Sequence, residues 1–168
     1  LKFYQIFIEN INMYSCSDHK SCLSDALHVA DKICQKKGLR FTSLRKIILE
    51  MIWSNHEPSK AYDILDKLKD VNLSAKPPTV YRTLDFLLEN GLIHKLNSLN
   101  AYIGCSHPLE HNECFFLFCQ ECKEIKECCN KELAKAINQT ASNNKFQPMN
   151  ITLEIQGECQ ECTDKARL

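Results

Sequence analysis

Cys119-Gln120-Glu121-Cys122 and Cys159-Gln160-Glu161-Cys162 are two identical Cys-x2-Cys knuckles, with the 36 residues 123–158 between them. Each knuckle offers two sulfurs to one side of an ion, and a structural zinc takes four thiolates in a tetrahedron. The pattern points to one zinc site made of Cys119, Cys122, Cys159 and Cys162, so the chain between must return to where it started. A redox Cys-x-x-Cys motif would have no need of a twin. Loss of the ion is expected to loosen or unfold this part of the chain.

The surrounding residues suit such a return. Phe115-Phe116-Leu117-Phe118 and Glu124-Ile125-Lys126 read as two strands flanking the first knuckle. Leu133, Ala136, Ile137 and Thr140 recur at helical spacing within Lys131–Asn143. Ile151, Leu153 and Ile155 then alternate with polar residues, as in a half-buried strand. A small α/β domain is expected here.

Charge divides the chain in the same place. The 168 residues carry 21 basic and 21 acidic groups, but residues 25–100 hold 12 basic and 9 acidic, and residues 101–168 hold 7 and 10. Eight of the 11 cysteines lie in that acidic part. Two domains with different tasks are expected, and the net charge of zero does not exclude nucleic acid. No apolar run is long enough to cross a bilayer. The first residues, with Gln5 and Glu9 interrupting the apolar positions, do not resemble a secretory signal, so a cytoplasmic, reducing compartment is expected. There, clustered cysteines serve metal before disulfides.

The basic part reads as helices followed by a hairpin. Leu27, Ala30, Ile33 and Cys34 share one helical face ended by Gly38, and Thr42 or Ser43 caps a second helix bearing Leu44, Ile47, Ile48, Met51 and Ile52. Ser59 is a candidate cap for a third, with Ala61, Ile64, Leu65 and Leu68 as its stripe. Pro77-Pro78 opens a fourth, whose Val80, Leu84, Leu87 and Leu88 face inward before Gly91. Leu92-Ile93-His94-Lys95 and Ala101-Tyr102-Ile103-Gly104 form the hairpin. That order is the order of a winged helix-turn-helix.

On the fourth helix this stripe turns Tyr81 and Arg82 outward. Arg82 is long enough for a guanine edge, Tyr81 for a thymine methyl or a phosphate, and Lys76 and Thr79 stand at the phosphate-favouring helix start. His94, Cys105, His107, His111 and Glu127 are further soft or borderline ligands near the junction. A metal drawing on both sides would clamp the domains together; ordinary surface residues are the competing reading. Cys16, His19 and Cys22 have ligand chemistry too, while Cys114, Cys128 and Cys129 have no assigned role.

The segments Ser59-Lys-Ala-Tyr-Asp-Ile-Leu65, Ala75-Lys-Pro-Pro-Thr-Val-Tyr-Arg-Thr-Leu-Asp-Phe-Leu87 and Gly91-Leu-Ile-His-Lys95 resemble the ferric-uptake-regulator (Fur) family. With the twin knuckles, the similarity spans residues 25–163 and is closest to the branch of zinc uptake regulators. It implies a homodimeric, cytoplasmic transcriptional repressor of zinc-uptake genes, with zinc as co-repressor and a pseudo-palindromic operator as partner. It adds Tyr62 to Tyr81 and Arg82 as residues near DNA. It assigns structural zinc to Cys119, Cys122, Cys159 and Cys162, and regulatory zinc to His94, Cys105, a loop histidine (His111 in preference to His107) and Glu127. That makes two zinc ions per subunit.

The resulting expectation is an α+β chain. Residues 1–23 are an N-terminal extension and a candidate flexible one. Residues 24–96 are a winged-helix DNA-binding domain, 97–104 the hinge and end of the wing, and 105–168 a zinc-binding dimerisation domain. Cys105 favours zinc over iron, because a thiolate softens the ligand set. The rival input is iron or peroxide, with Cys105, Cys114, Cys128 and Cys129 as oxidation targets. A zinc enzyme using Glu127 as base is the rival of another class. It lacks a Ser/His/Asp set, a nucleotide loop and a His-Glu-x-x-His motif, so no catalytic residue is expected.

Overall fold

The computed structural model describes residues 19–54, 57–71 and 76–166. Two compact units divide between Pro108 and Leu109. Cys16 lies outside the described residues, and with it the candidate group of Cys16, His19 and Cys22.

The first unit contains four helices and a hairpin: α1 (His19–Lys36), α2 (Ser43–Trp53), α3 (Ala61–Val71), α4 (Pro77–Glu89), β1 (Ile93–Leu96) and β2 (Ala101–Gly104). Helix α1 begins inside the segment read from sequence as the extension, because Cys22, Leu23 and Ala26 already pack on the core. It stops where Gly38 takes φ +67°, which lets the Leu39 amide reach the Cys34 carbonyl at 2.8 Å. Thr42 is the cap of α2, its hydroxyl accepting from the Arg45 amide at 3.5 Å. Ala30, Ile48, Ile52, Ile64, Leu68, Leu84 and Leu87 are buried together, so each helix contributes the stripe that its periodicity predicts.

Ser59 behaves differently from its expected role as a helix cap. It stands two residues ahead of α3 and exchanges backbone hydrogen bonds of 2.8 Å with Tyr102 of β2. The polar groups at Ser59 thus go to a strand bridge, which extends the hairpin. The hairpin itself is antiparallel, with His94 opposite Ile103 and Leu96 opposite Ala101. Residues 97–104, expected to be the hinge and end of the wing, are its turn and second strand; the Asn100 amide closes the turn on the Asn97 carbonyl at 3.3 Å. At Gly104 a β-carbon would land on the Trp53 indole, so a side chain is excluded just before Cys105.

The second unit holds β3 (Cys114–Cys119), β4 (Ile125–Cys129), α5 (Lys131–Asn143), β5 (Glu154–Gly157) and α6 (Gln160–Lys165). The sheet order is β4-β3-β5, with β3 antiparallel to β4 and parallel to β5. Asn130 caps α5 by accepting from the Leu133 amide at 2.8 Å. No residue of α5 is buried, and Phe146, Met149 and Ile155 are exposed. The apolar faces of this unit are therefore only partly covered by the chain itself. The short α6 carries no periodic signal in the sequence, since six residues are too few for one.

Candidate metal centre and nucleic-acid face

The first knuckle is the turn between β3 and β4. Lys123 takes φ +62°, its amide bonds the Cys119 carbonyl at 3.1 Å, and the Cys119 amide bonds the Glu124 carbonyl at 2.9 Å. The second knuckle arrives through β5, whose parallel register sets Gly157 beside Cys119. The Gln120 amide fastens that end to the Gly157 carbonyl at 2.7 Å. Two residues later Cys159 caps α6, and Cys162 lies in its first turn.

Cys119, Cys122, Cys159 and Cys162 thereby bring their four sulfurs within 4.8 Å of one another. A zinc tetrahedron with bonds of about 2.3 Å needs sulfurs roughly 3.8 Å apart. Cys122 and Cys159 stand 3.8 Å apart. The donor set and its spacing fit zinc.

The electrostatics of the four thiols agree. The Cys159 amide points at Cys119 Sγ from 3.3 Å and, with the Cys122 amide, holds that thiol down to about 6. Hydrogen bonding with Cys159, then burial, pushes Cys162 up to about 12. Cys122 is raised too: the Glu124 amide lowers it, but its bond with Cys119 and its burial outweigh that effect. Four clustered sulfurs repel further negative charge, and a divalent cation is what would let all of them ionise.

The other candidate ligands divide between the two units. In the first unit, His94 on β1 and Cys105 just past β2 are both buried, and their ligand atoms lie within 4.8 Å. The Cys105 amide is tied to the Leu92 carbonyl at 3.1 Å, so the hairpin register sets this pair. In the second unit, His111 opens a 3-10 turn (His111–Glu113) that runs directly into β3, and Glu127 sits on β4, 2% exposed. His107 lies in the loop before Pro108, its Nδ1 buried with no hydrogen-bond partner among the described residues.

Cys114 and Cys129, which the sequence left without an assigned role, are joined by a disulfide. The register explains it. Phe118 faces Ile125, and four residues further from the turn on each strand Cys114 faces Cys129. Counting outward from the Cys119 turn would have found the pair in the sequence.

On the first unit, Lys76 at the cap of α4 and Thr79, Tyr81 and Arg82 within it are exposed, and Tyr62 is exposed on α3. Arg82 stands two positions from Leu84 and five from Leu87, spacings that turn it away from the core. The helix start works differently from the expectation. Pro77 and Pro78 have no amide hydrogen, and the Thr79 and Val80 amides already bond the Lys76 carbonyl at 2.9 and 3.4 Å. Lys76 and Thr79 can meet a phosphate through their side chains, but backbone donors are scarce there. Asp85 and Glu89 are exposed on the same helix and limit its positive field.

The chain and its architecture have clear relatives. The chain is 34% identical over 148 residues to the zinc uptake regulation protein of Escherichia coli K12, covering 86% of this chain and 85% of that one. It is 27% identical over 129 residues to the zinc uptake regulation protein of Mycobacterium tuberculosis H37Rv, covering 74% and 95%. Among solved structures, a zinc uptake regulator complexed with zinc and DNA matches with a TM-score of 0.77 and 32% identity, over 87% of this chain and 98% of that one. The crystal structure of holo XcZur matches with a TM-score of 0.74 and 36% identity, over 82% and 96%. Residues 36–156 match the family model of the ferric uptake regulators, so the chain belongs to the ferric uptake regulator family.

Proposed function

We propose that this chain is a zinc-responsive transcriptional repressor that works as a homodimer on pseudo-palindromic operator DNA and governs zinc-uptake genes. The carrying observation is the similarity to a zinc uptake regulator complexed with zinc and DNA, which covers 87% of this chain. The uncovered apolar residues of the second unit support a dimer: Phe146, Met149 and Ile155 gain from burial against a second copy. Among the described residues no helix is long and apolar enough to cross a membrane. In this reading the protein is a regulator, not an enzyme, and acts in the cytoplasm.

Two zinc ions per subunit are proposed. Structural zinc is held by Cys119, Cys122, Cys159 and Cys162, supported by their convergence. Regulatory zinc takes His94 and Cys105 from one unit and His111 and Glu127 from the other, supported by the close His94–Cys105 pair and the deep burial of Glu127. Sharing one ion would restrain the units relative to each other, so that the two winged helices of a dimer suit successive major grooves. Zinc and operator then strengthen each other's binding reciprocally, typically by about 1–3 kcal/mol.

Operator binding titrated against buffered Zn(II) and Fe(II) tests this. Half-saturation in the parent is expected to improve with zinc by roughly 5–150-fold. Cys105→Ala is expected to lose that response while keeping its structural zinc. A variant that answers zinc as the parent does would remove Cys105 from the site, and a response to Fe(II) alone would favour the iron reading.

The proposed DNA contacts are Tyr62, Lys76, Thr79, Tyr81 and Arg82. Arg82→Ala is expected to weaken operator binding by about 1–3 kcal/mol and to relax preference at one base pair. Lys76→Ala should weaken all sequences alike and make the salt dependence shallower. Gel-shift series over operator variants and salt concentrations separate the two; equal losses on every sequence for Arg82→Ala would reduce it to a phosphate contact.

A further inference from the structure

The Cys114–Cys129 disulfide has no part in the function proposed above, yet it adjoins both regulatory ligands of its own unit. Cys114 faces Cys129 and Phe116 faces Glu127 across β3 and β4. Alternation along each strand therefore puts Cys114, Phe116, Glu127 and Cys129 on one face, with Cys128 on the other. Each of the two sulfurs lies within 4.8 Å of the Glu127 carboxylate. The Cys114 amide also closes the 3-10 turn on the His111 carbonyl, and the Asn130 amide ties the end of β4 to the Glu113 carbonyl at 2.9 Å. Both cysteines are half-buried, so a small solute has access to them.

We propose that Cys114 and Cys129 are a reversible dithiol–disulfide pair that tunes zinc affinity at the Glu127 half-site, with a hydroperoxide as oxidant; this rests on the reading of Glu127 as a regulatory ligand. In the oxidising direction one thiol sulfur attacks the peroxide, the O–O bond breaks, and the far oxygen leaves as water or alcohol with that thiol's proton. The second thiol displaces the hydroxyl from the resulting sulfenic acid, releasing water and forming the S–S bond. The two sulfurs together lose two electrons, and the peroxide gains them. A dithiol reductant reverses the change by exchange.

The two states differ in what they offer a metal. Reduced, the pair places two soft sulfur donors beside the Glu127 carboxylate, and Cys114 Sγ, 3.3 Å from the Glu110 carbonyl, has an acceptor for its proton. Oxidised, the sulfurs carry neither proton nor charge and leave the donor set. Partners of a ligand change metal affinity by about 10–100-fold, and a shift of that size is expected here. Oxidation would then raise the zinc level needed for operator binding.

The test uses the full-length dimer, fully reduced or treated with hydrogen peroxide, with peptide mapping to confirm the Cys114–Cys129 link. Zinc affinity is read by competition with a chromophoric chelator, and operator binding in buffered zinc. Oxidation of the parent is expected to weaken regulatory zinc at least about tenfold, reversibly, and Cys114→Ser/Cys129→Ser to show no such shift. Cys128→Ser should behave as the parent. Equal affinities in the two parental states, or a disulfide that reductant opens only on unfolding, would overturn the proposal. Should the double variant not fold, the parental comparison still decides. Zinc-dependent operator binding in the reduced parent without a redox shift defeats this inference alone, whereas no zinc dependence in either state defeats it together with the regulatory-zinc reading.

Discussion

Cys162→Ser is expected to release the structural zinc and to abolish the folded state of the second unit. The reason is the small core beside the four clustered sulfurs. Phe116, Phe118 and Cys119 are the buried hydrophobic residues there, and α5 buries none of its own. A core of that size supplies little stability without a staple. Structural zinc in peptides of comparable ligand chemistry contributes about 10–16 kcal/mol, as large as the whole stability of an ordinary domain. The loss should appear as one fewer zinc per subunit by chelator assay, a missing thermal transition and a monomeric elution profile. A strong chelator should reproduce it in the parent. Retention of the transition in a variant lacking one zinc would show that the sulfurs bind metal without supporting the fold.

Leu84→Ala is expected to cost about 2–5 kcal/mol in the first unit. Leu84 is 0% exposed and lies on the opposite side of α4 from Arg82, among Ile48, Ile64 and Leu87. For a unit of this size each kcal/mol lowers the melting temperature by roughly 4–8 °C. Arg82→Ala should leave that transition nearly unmoved while weakening the operator complex. If Leu84→Ala melted like the parent, the inward face of α4 would be wrongly drawn; if Arg82→Ala melted lower, its loss of DNA binding would be a folding effect. The two faces of one helix can thus be tested separately.

Much of this was legible in the residues. Spacing of three and four along α2, α3 and α4 identifies inward and outward faces, because a helix repeats every 3.6 residues whatever it packs against. The knuckles point to zinc because two cysteines three apart in a turn can chelate one ion from one side before any fold forms. Ser59 shows where such local rules stop. Its side chain suits a cap, yet its backbone answers to Tyr102, a strand partner 43 positions further on. At residues 97–100 the expected hairpin turn joins the paired strands β1 and β2.

The sequence by itself determined the helical faces, the hairpin, the paired knuckles of Cys119, Cys122, Cys159 and Cys162 and the outward Arg82. All of these depend on residues close in the chain or on a motif carrying its own chemistry. Only the tertiary structure decided that β5 runs parallel to β3, which sets Gly157 beside Cys119 and carries Cys159 and Cys162 to the first knuckle. It alone decided that Cys114 bonds Cys129 and that both lie against Glu127. Those facts follow from strand register, and a shift of one residue would turn each of these side chains to the other face of the sheet.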